Sequence, residues 1–416
     1  MSDGLARVQT AVAEAHRTEW SRVLAAVARQ TGDLDLAEDC VEDAYVTALT
    51  KWVTDGIPAN PAAWLTTTAR RRAIDILRRN IAFRARAHLL VEPPTEDGPD
   101  MDDEFEIPDE RLRLVFTCCH PALSRDSQMA LTLRLICGLP TDDIARLFLV
   151  PIPTMAARLT RAKKKIAVAK IPYRVPDAAE LPDRLTAALG VIYLLFTTGH
   201  TQPNGADLAE PELINTAFAL ARLLRVLMPD EHEVAGLLAL MLLIDARRPT
   251  RVDAAGDLVL LEHQDRSRWD RAAIAEGAAL IEPVFRSGRP GPYAIQAAIA
   301  ATHATAPTWE ETDWPQLLHL YDALATRWPS PVVELNRLGV VLMIAGPETA
   351  LSELATLEQD QRLADYPYLP ALKADLLRRL HRPDEAATAY RHALDLTANE
   401  TERRFLARRL TALTQL

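Results

Sequence analysis

The chain has 416 residues, 49% hydrophobic and 6% aromatic, with only 15 glycines, so one to three domains of an all-α fold are expected. A net charge of −10 argues against a general nucleic-acid coat protein, and four unevenly placed cysteines exclude a disulfide framework and suit a reducing cytoplasm. Residues 1–20 show no secretory signal, and Leu189–Phe196 and Leu237–Ile244 fall far short of the ~20 apolar residues that span a bilayer. A cytoplasmic protein without a membrane partner is expected.

The first block, residues 1–90, is helical in period. Around Leu36–Trp52 a wide apolar face is formed by Ala37, Cys40, Val41, Ala44, Tyr45, Ala48, Leu49 and Trp52, opposite Glu38, Asp39, Glu42 and Asp43. The like-charged pairs Glu38/Glu42 and Asp39/Asp43 stand one turn apart and mildly destabilise an isolated helix. Two readings stay open: a solvated acidic face, or a docking surface for a basic partner helix. Downstream of Asn60, the positions Leu65, Ala69, Ala73 and Ile76 face inward, which turns Arg71, Asp75, Arg78 and Arg79 outward. Arg70 and Arg72 crowd the same stretch. Guanidiniums spaced along one helix match successive backbone phosphates. Trp64 and the hydroxyls of Thr66, Thr67 and Thr68 could receive an unstacked base, or Trp64 could anchor the core.

Residues 91–108 contain Pro93, Pro94, Gly98, Pro99 and Pro108, and Glu92–Glu110 holds ten acids and no base. This reads as an acidic linker, a solvated tether by composition. The block 109–172 follows. In it the helix Ala130–Ile136 is broken by Gly138-Leu139-Pro140, Thr141 caps the next helix with Asp142 and Asp143 in its first turn, and Pro153 opens a third. The pattern is a helix-turn-helix. The last helix has Met155, Leu159, Ala162 and Ile166 on its apolar side and Thr154, Arg158, Arg161, Lys164 and Lys165 on its free side, suited to bases and phosphates. Cys118-Cys119-His120 lacks a second pair at zinc spacing and reads as a buried structural trio, with no metal or other cofactor expected.

Beyond residue 172 the chain is helix after helix. A helical extension is expected over 173–280 and hairpins resembling tetratricopeptide repeats over 281–416, where Gly346–Ala350 and Arg382–Ala386 stand 36 residues apart. Asp245, Arg247, Arg248, Asp265, Arg266, Arg268 and Asp270 suggest one buried ion network, with a peptide or small-ligand groove as the functional rival. His232-Glu233 begins a zinc-protease string, but Gly236 stands where the second histidine belongs. With no phosphate loop and no nucleophile elbow, an enzyme is not expected.

Leu36–Trp52 followed by Pro61-Ala62-Ala63-Trp64-Leu65 and Ala73–Arg79 resembles the first domain of extracytoplasmic-function sigma factors, and Gly138–Ala145 with Thr154-Met155 and Arg161-Ala162-Lys163 resembles their second. The resemblance implies two small helical domains joined by an acidic linker. It makes Glu38, Asp39, Glu42 and Asp43 contacts to the clamp of the β′ subunit of core RNA polymerase, with the second domain resting on the flap of the β subunit. Asn60, Trp64, Thr67, Arg70, Arg71, Arg72, Asp75, Arg78 and Arg79 would read the minus-ten promoter element, and Thr154, Arg158, Arg161, Lys164 and Lys165 the minus-thirty-five element. Two departures stand out: the family usually has Gln-Glu at Glu42-Asp43 and commonly Arg-Asn at Arg71-Arg72. The stretches Gly236–Arg248, Gln264–Asp270, Gln296–Ala304, Thr312–Trp314 and Glu334–Arg337 resemble a subgroup with a long helical extension, which we expect to regulate the factor by packing on its own DNA-binding domains or on polymerase. A separate regulatory protein is the other partner considered. The competing readings are a helical-repeat scaffold and an ordinary helix-turn-helix repressor or activator.

Overall fold

The computed structural model describes residues 2–87, 110–148, 150–177, 179–201 and 208–414, so the acidic stretch 91–108 lies outside the described residues. Among them the only β feature is one bridge, Val252 to Leu258. The chain divides into two compact units, Met1–Val191 and Ile192–Leu416.

In the first unit, α1 (Ser2–Thr31), α2 (Leu34–Asp55) and α3 (Pro61–Ala87) pack mutually. Asp33 caps α2 by accepting from the amides of Asp35 and Leu36, and Ala37, Cys40, Val41, Ala44, Tyr45, Ala48 and Trp52 are buried as their spacing predicts. Leu49 departs from the expectation: it is 38% exposed, at the edge of the apolar face. The chain continues through α4 (Glu110–Cys118) and α5 (Arg125–Leu131) into a wide turn, Thr132–Ile136, closed by the Cys137 amide on the Thr132 carbonyl. α6 (Thr141–Leu147) and α7 (Ile152–Val168) form the helix-turn-helix, with Met155, Leu159, Ala162 and Ile166 buried. α8 (Leu181–His200) carries the chain from the first unit into the second. Cys118 and Cys119 are buried, and burial pushes the Cys119 thiol up to about 11. Among the described residues no group of three potential metal ligands occurs.

The second unit is built on α10 (His232–Asp245), buried without a break from Val234 to Leu243, as a helix apolar on every face must be. It packs against α9 (Pro211–Leu227), α11 (Arg271–Arg286) and α12 (Pro292–Thr305). Gly236 sits where α10 meets α12: a Cβ there would lie 2.6 Å from the Ala294 amide nitrogen. Beside it, the Glu233 carboxylate accepts from the amides of Tyr293 (2.9 Å) and Ala294 (3.2 Å) and caps α12. The His232-Glu233 string therefore marks a helix contact.

α13 (Trp314–Arg327), α14 (Pro331–Leu357), α15 (Tyr368–Arg379), α16 (Pro383–Leu396) and α17 (Glu400–Thr414) each pack on their chain neighbour. α14 is long and apolar enough to cross a membrane by length and composition, but it turns sharply at Gly346 (φ +85°) and its buried residues join the core of this stack. Gly346–Ala350 and Arg382–Ala386 thus each open a helix. The expected ion network does not form as one cluster. Arg248 reaches Asp245 at 3.3 Å, while Asp265 and Asp270 cap helices and Arg266 donates to the carbonyls of His303 and Ala306. Backbone groups at the helix ends take most of the charges the sequence suggested would pair.

Two outcomes follow. Gly236→Ala lowers stability by about 1–3 kcal/mol in urea titrations, because the new methyl meets backbone. His200 is held down to about 2 by burial, then by Arg251, Arg247 and Arg248, and His303 to about 4 by burial, then by Arg247 and Arg266. Unfolded histidine protonates near 6.5, so between pH 6.5 and 4 the unfolded state binds more protons, and stability falls as pH falls through that window. A thermal midpoint that drops from pH 7 to pH 5, with a smaller drop in His303→Gln, is the expected result.

Candidate nucleic-acid interface

Asn60 caps α3: its Oδ1 accepts from the Ala63 amide at 3.0 Å. The hydroxyls of Thr66, Thr67 and Thr68 donate to the carbonyls of Ala62, Ala63 and Trp64, each at 2.8 Å. Trp64 is half-buried and packs edge-on against the buried Trp52, at 5.5 Å between ring centres. With Leu65, Ala69 and Ala73 wholly buried, Arg70, Arg71, Arg72, Asp75, Arg78 and Arg79 are all exposed along the outer face. Arg72 pairs with Asp43 at 2.9 Å and Arg79 donates to the Asp75 carbonyl. Arg70, Arg71 and Arg78 have no ion-pair partner among the described residues. An amphipathic helix with a cationic outer face is what backbone phosphates require.

On α7, Thr154, Arg161, Lys164 and Lys165 are exposed. Lys165 donates to the Ala122 carbonyl, and Arg161 and Lys164 have no ion-pair partner among the described residues. Arg158 is placed differently: it is half-buried, 5.4 Å over the Phe148 ring and 3.2 Å from Asp126, without hydrogen-bond geometry to it. Arg161 and Lys164 are therefore the cations of this helix that are free to reach a groove.

The acidic helix is engaged within the unit. Glu38 is only 5% exposed and lies between two cations of the helix-turn-helix block: Arg134, which also bonds Glu42, and Lys163, at 2.9 Å, which also bonds Asp35. Burial works against the Lys163 charge, but the bonds and fields of Asp35 and Glu38 outweigh it and raise its pKa. The same junction is closed by the Trp20 indole N–H, which donates to the Leu135 carbonyl at 3.1 Å, and by Gly138 (φ +70°), where a Cβ would stand 2.9 Å from the His16 ring and 3.0 Å from Trp20. Of the four predicted acids, Glu38 is buried and Glu42 shares its partner, while Asp39 and Asp43 face outward.

Two features were missed by sequence reasoning. The first is Arg134, the single charge inside the apolar run Ala130–Ile136, a signal that it needed a buried partner. The second is an exposed stripe on α2 running from Asp39 and Asp43 through Val46 (62% exposed) and Leu49 to Val53 (48%). Its spacing is helical, but it merges with the inner face when no orientation is known.

Residues 17–81 match the family described as Sigma-70 region 2, residues 113–166 match Sigma-70, region 4, and residues 184–284 match a family of unknown function, DUF6596. An uncharacterized protein of Rhizobium meliloti (strain 1021) is 42% identical over 402 residues, covering 94% of this chain and 93% of that protein. No solved structure matches.

Removing the charge of Glu38 leaves the half-buried Arg134 and Lys163 with one carboxylate each, Glu42 and Asp35, so Glu38→Gln costs about 1–3 kcal/mol. The exposed Asp39→Asn stays within about 0.5 kcal/mol. Urea unfolding of the two variants beside the parent checks both.

Proposed function

The chain belongs to the sigma-70 family of transcription initiation factors, which bind core RNA polymerase and direct promoter recognition, and from that premise we propose how its residues divide the work. α2 docks on the β′ subunit through Asp39, Asp43 and the Val46–Leu49–Val53 stripe, with Glu38 and Glu42 joining once they are free. Arg70, Arg71 and Arg78 of α3 follow the backbone of the minus-ten element, with Trp64 beside the bases. Arg161 and Lys164 of α7 contact the minus-thirty-five element while the helix-turn-helix block rests on the β subunit. The work is done in the cytoplasm, and the fused helical unit is where we place its control.

The observation that carries this reading is the presence of two outward-facing cationic helices in the segments matched to regions 2 and 4, with an acidic helix ahead of both in sequence. A repressor would need the cationic surfaces but not the acidic one. The two elements lie ~25 base pairs apart, roughly 85 Å at 3.4 Å per pair. A compact unit of 191 residues has a radius of gyration of about 16 Å, so two blocks joined through Glu38, Arg134 and Lys163 do not span that distance. Promoter engagement in this reading therefore begins with separation of the two blocks, which also releases acids that polymerase takes up.

Band shifts with purified core enzyme test the proposal. The chain alone binds promoter fragments weakly and the complex binds them tightly. Arg161→Ala costs about 1–3 kcal/mol at particular base pairs, whereas Arg71→Ala weakens binding uniformly and reduces the salt slope by about one. Arg134→Gln combined with Lys163→Gln raises affinity for core several-fold by loosening the closed junction; unchanged or weaker core binding in that variant refutes the masking of α2.

A further inference from the structure

The second unit holds a cavity of about 520 Å³ where α10, α12 and the start of α14 converge. Four of the stretches singled out in the sequence meet on its wall: Arg247 from the end of α10, Trp269 from the loop before α11, Gln296 and His303 from α12, and Asn336 from α14. The remaining lining is largely aliphatic and aromatic, and it contains no carboxylate. Volumes of this size house small organic ligands, and an apolar wall with a few converging polar groups is their usual setting.

Two polar groups in this cavity lack what they need. Arg247 is set deep in the unit yet keeps accessible surface, because it lines the cavity. Its guanidinium is depressed below the arginine range by burial alone, and it has no ion-pair partner among the described residues. Arg251 nearby carries a charge of its own sign, and the field of Arg247 lowers the pKa of Arg251 and helps keep His200 and His303 neutral. His303 is the second group, its Nδ1 buried without a hydrogen-bond partner while its ring stacks on Trp309 at 6.2 Å. A buried guanidinium without a counter-charge costs free energy, and a buried imidazole nitrogen without a partner adds to that cost. Neither is explained by packing, because the sequence places acids nearby, at Asp245 and Asp270, and the fold spends them on Arg248 and on the α11 cap.

We propose that this cavity is a binding site for a small organic anion, a carboxylate with a flat apolar body, whose headgroup pairs with Arg247 and accepts a hydrogen bond from His303 while Trp269 and its neighbours enclose the body. The planar guanidinium fork matches a carboxylate with two parallel hydrogen bonds. The assignment gives the fused unit a chemical input independent of the polymerase and promoter contacts, and its test does not pass through them.

The experiment is calorimetric titration of the full chain with 1-naphthaleneacetate and with its neutral amide, 1-naphthaleneacetamide. The acetate binds one per chain, at least tenfold tighter than the amide. Arg247→Gln brings the acetate down to the level of the amide and leaves the amide unchanged, which separates loss of charge from loss of fold. Ala300→Trp, which fills the cavity, abolishes both, with the thermal midpoint confirming that the variant is folded. Equal binding of acetate and amide, no binding of the acetate at millimolar concentration, an unchanged preference in Arg247→Gln, or full binding in folded Ala300→Trp each overturns the site.

Discussion

A carboxylate with almost no solvent contact, Glu38, is flanked by a guanidinium and an ammonium that belong to another block of the chain. Charges are buried only when they are paired and hydrogen-bonded, and removing one member of such a set costs more than the set itself contributes. The trio therefore acts as a register mark more than as a source of stability. It specifies which face of α2 meets the helix-turn-helix block. The rest of the junction conforms to that choice: the Trp20 indole donates to the Leu135 carbonyl of the wide turn, and Gly138 lets the loop come down on His16 and Trp20.

The parts of the fold written in periodicity were legible. The inner faces of α2, α3 and α7 follow from residues recurring every three or four positions, whereas the caps at Asp33 and Asn60 emerged only in the structure. The outer cationic residues of α3 follow from the same pattern, since fixing the buried side fixes the exposed one. What failed was everything decided by tertiary contact. Leu49 and Trp52 look alike in a hydropathy pattern, yet one is half-exposed and the other buried. Arg158 and Arg161 look equivalent on a helical wheel, yet Phe148 and Asp126 draw one of them inward.

The charges of the second unit give the same lesson from the other side. The seven charged residues singled out between Asp245 and Asp270 invite pairing by count alone, but a helix end offers backbone amides and carbonyls at shorter reach than a distant side chain. Asp265 and Asp270 turn to amides, Arg266 turns to carbonyls, and Arg247 is left over. A residue stranded in this way cannot be seen in the sequence, because its isolation depends on what its neighbours do.

The closed junction also sets the size of the force needed to open it. Shifting a two-state equilibrium from one part in a hundred open to ninety-nine requires a partner that prefers the open state by about 5.5 kcal/mol. Leaving a partly buried charged group short of a hydrogen-bonded partner costs about 1–3 kcal/mol, so the trio accounts for part of that difference. In the docking we propose, a basic polymerase surface that accepts Glu38 and Glu42 would replace Arg134 and Lys163 as their counter-charge, so the acids would exchange partners without being left bare. The displaced cations then add to the positive surface available to phosphate, and each phosphate neutralised steepens the salt dependence by about 0.9 in log–log slope. Under that proposal, gripping the enzyme and gaining affinity for DNA are two consequences of one exchange of ion pairs, which would fit a chain of net charge −10 to a polyanion only when its partner is present.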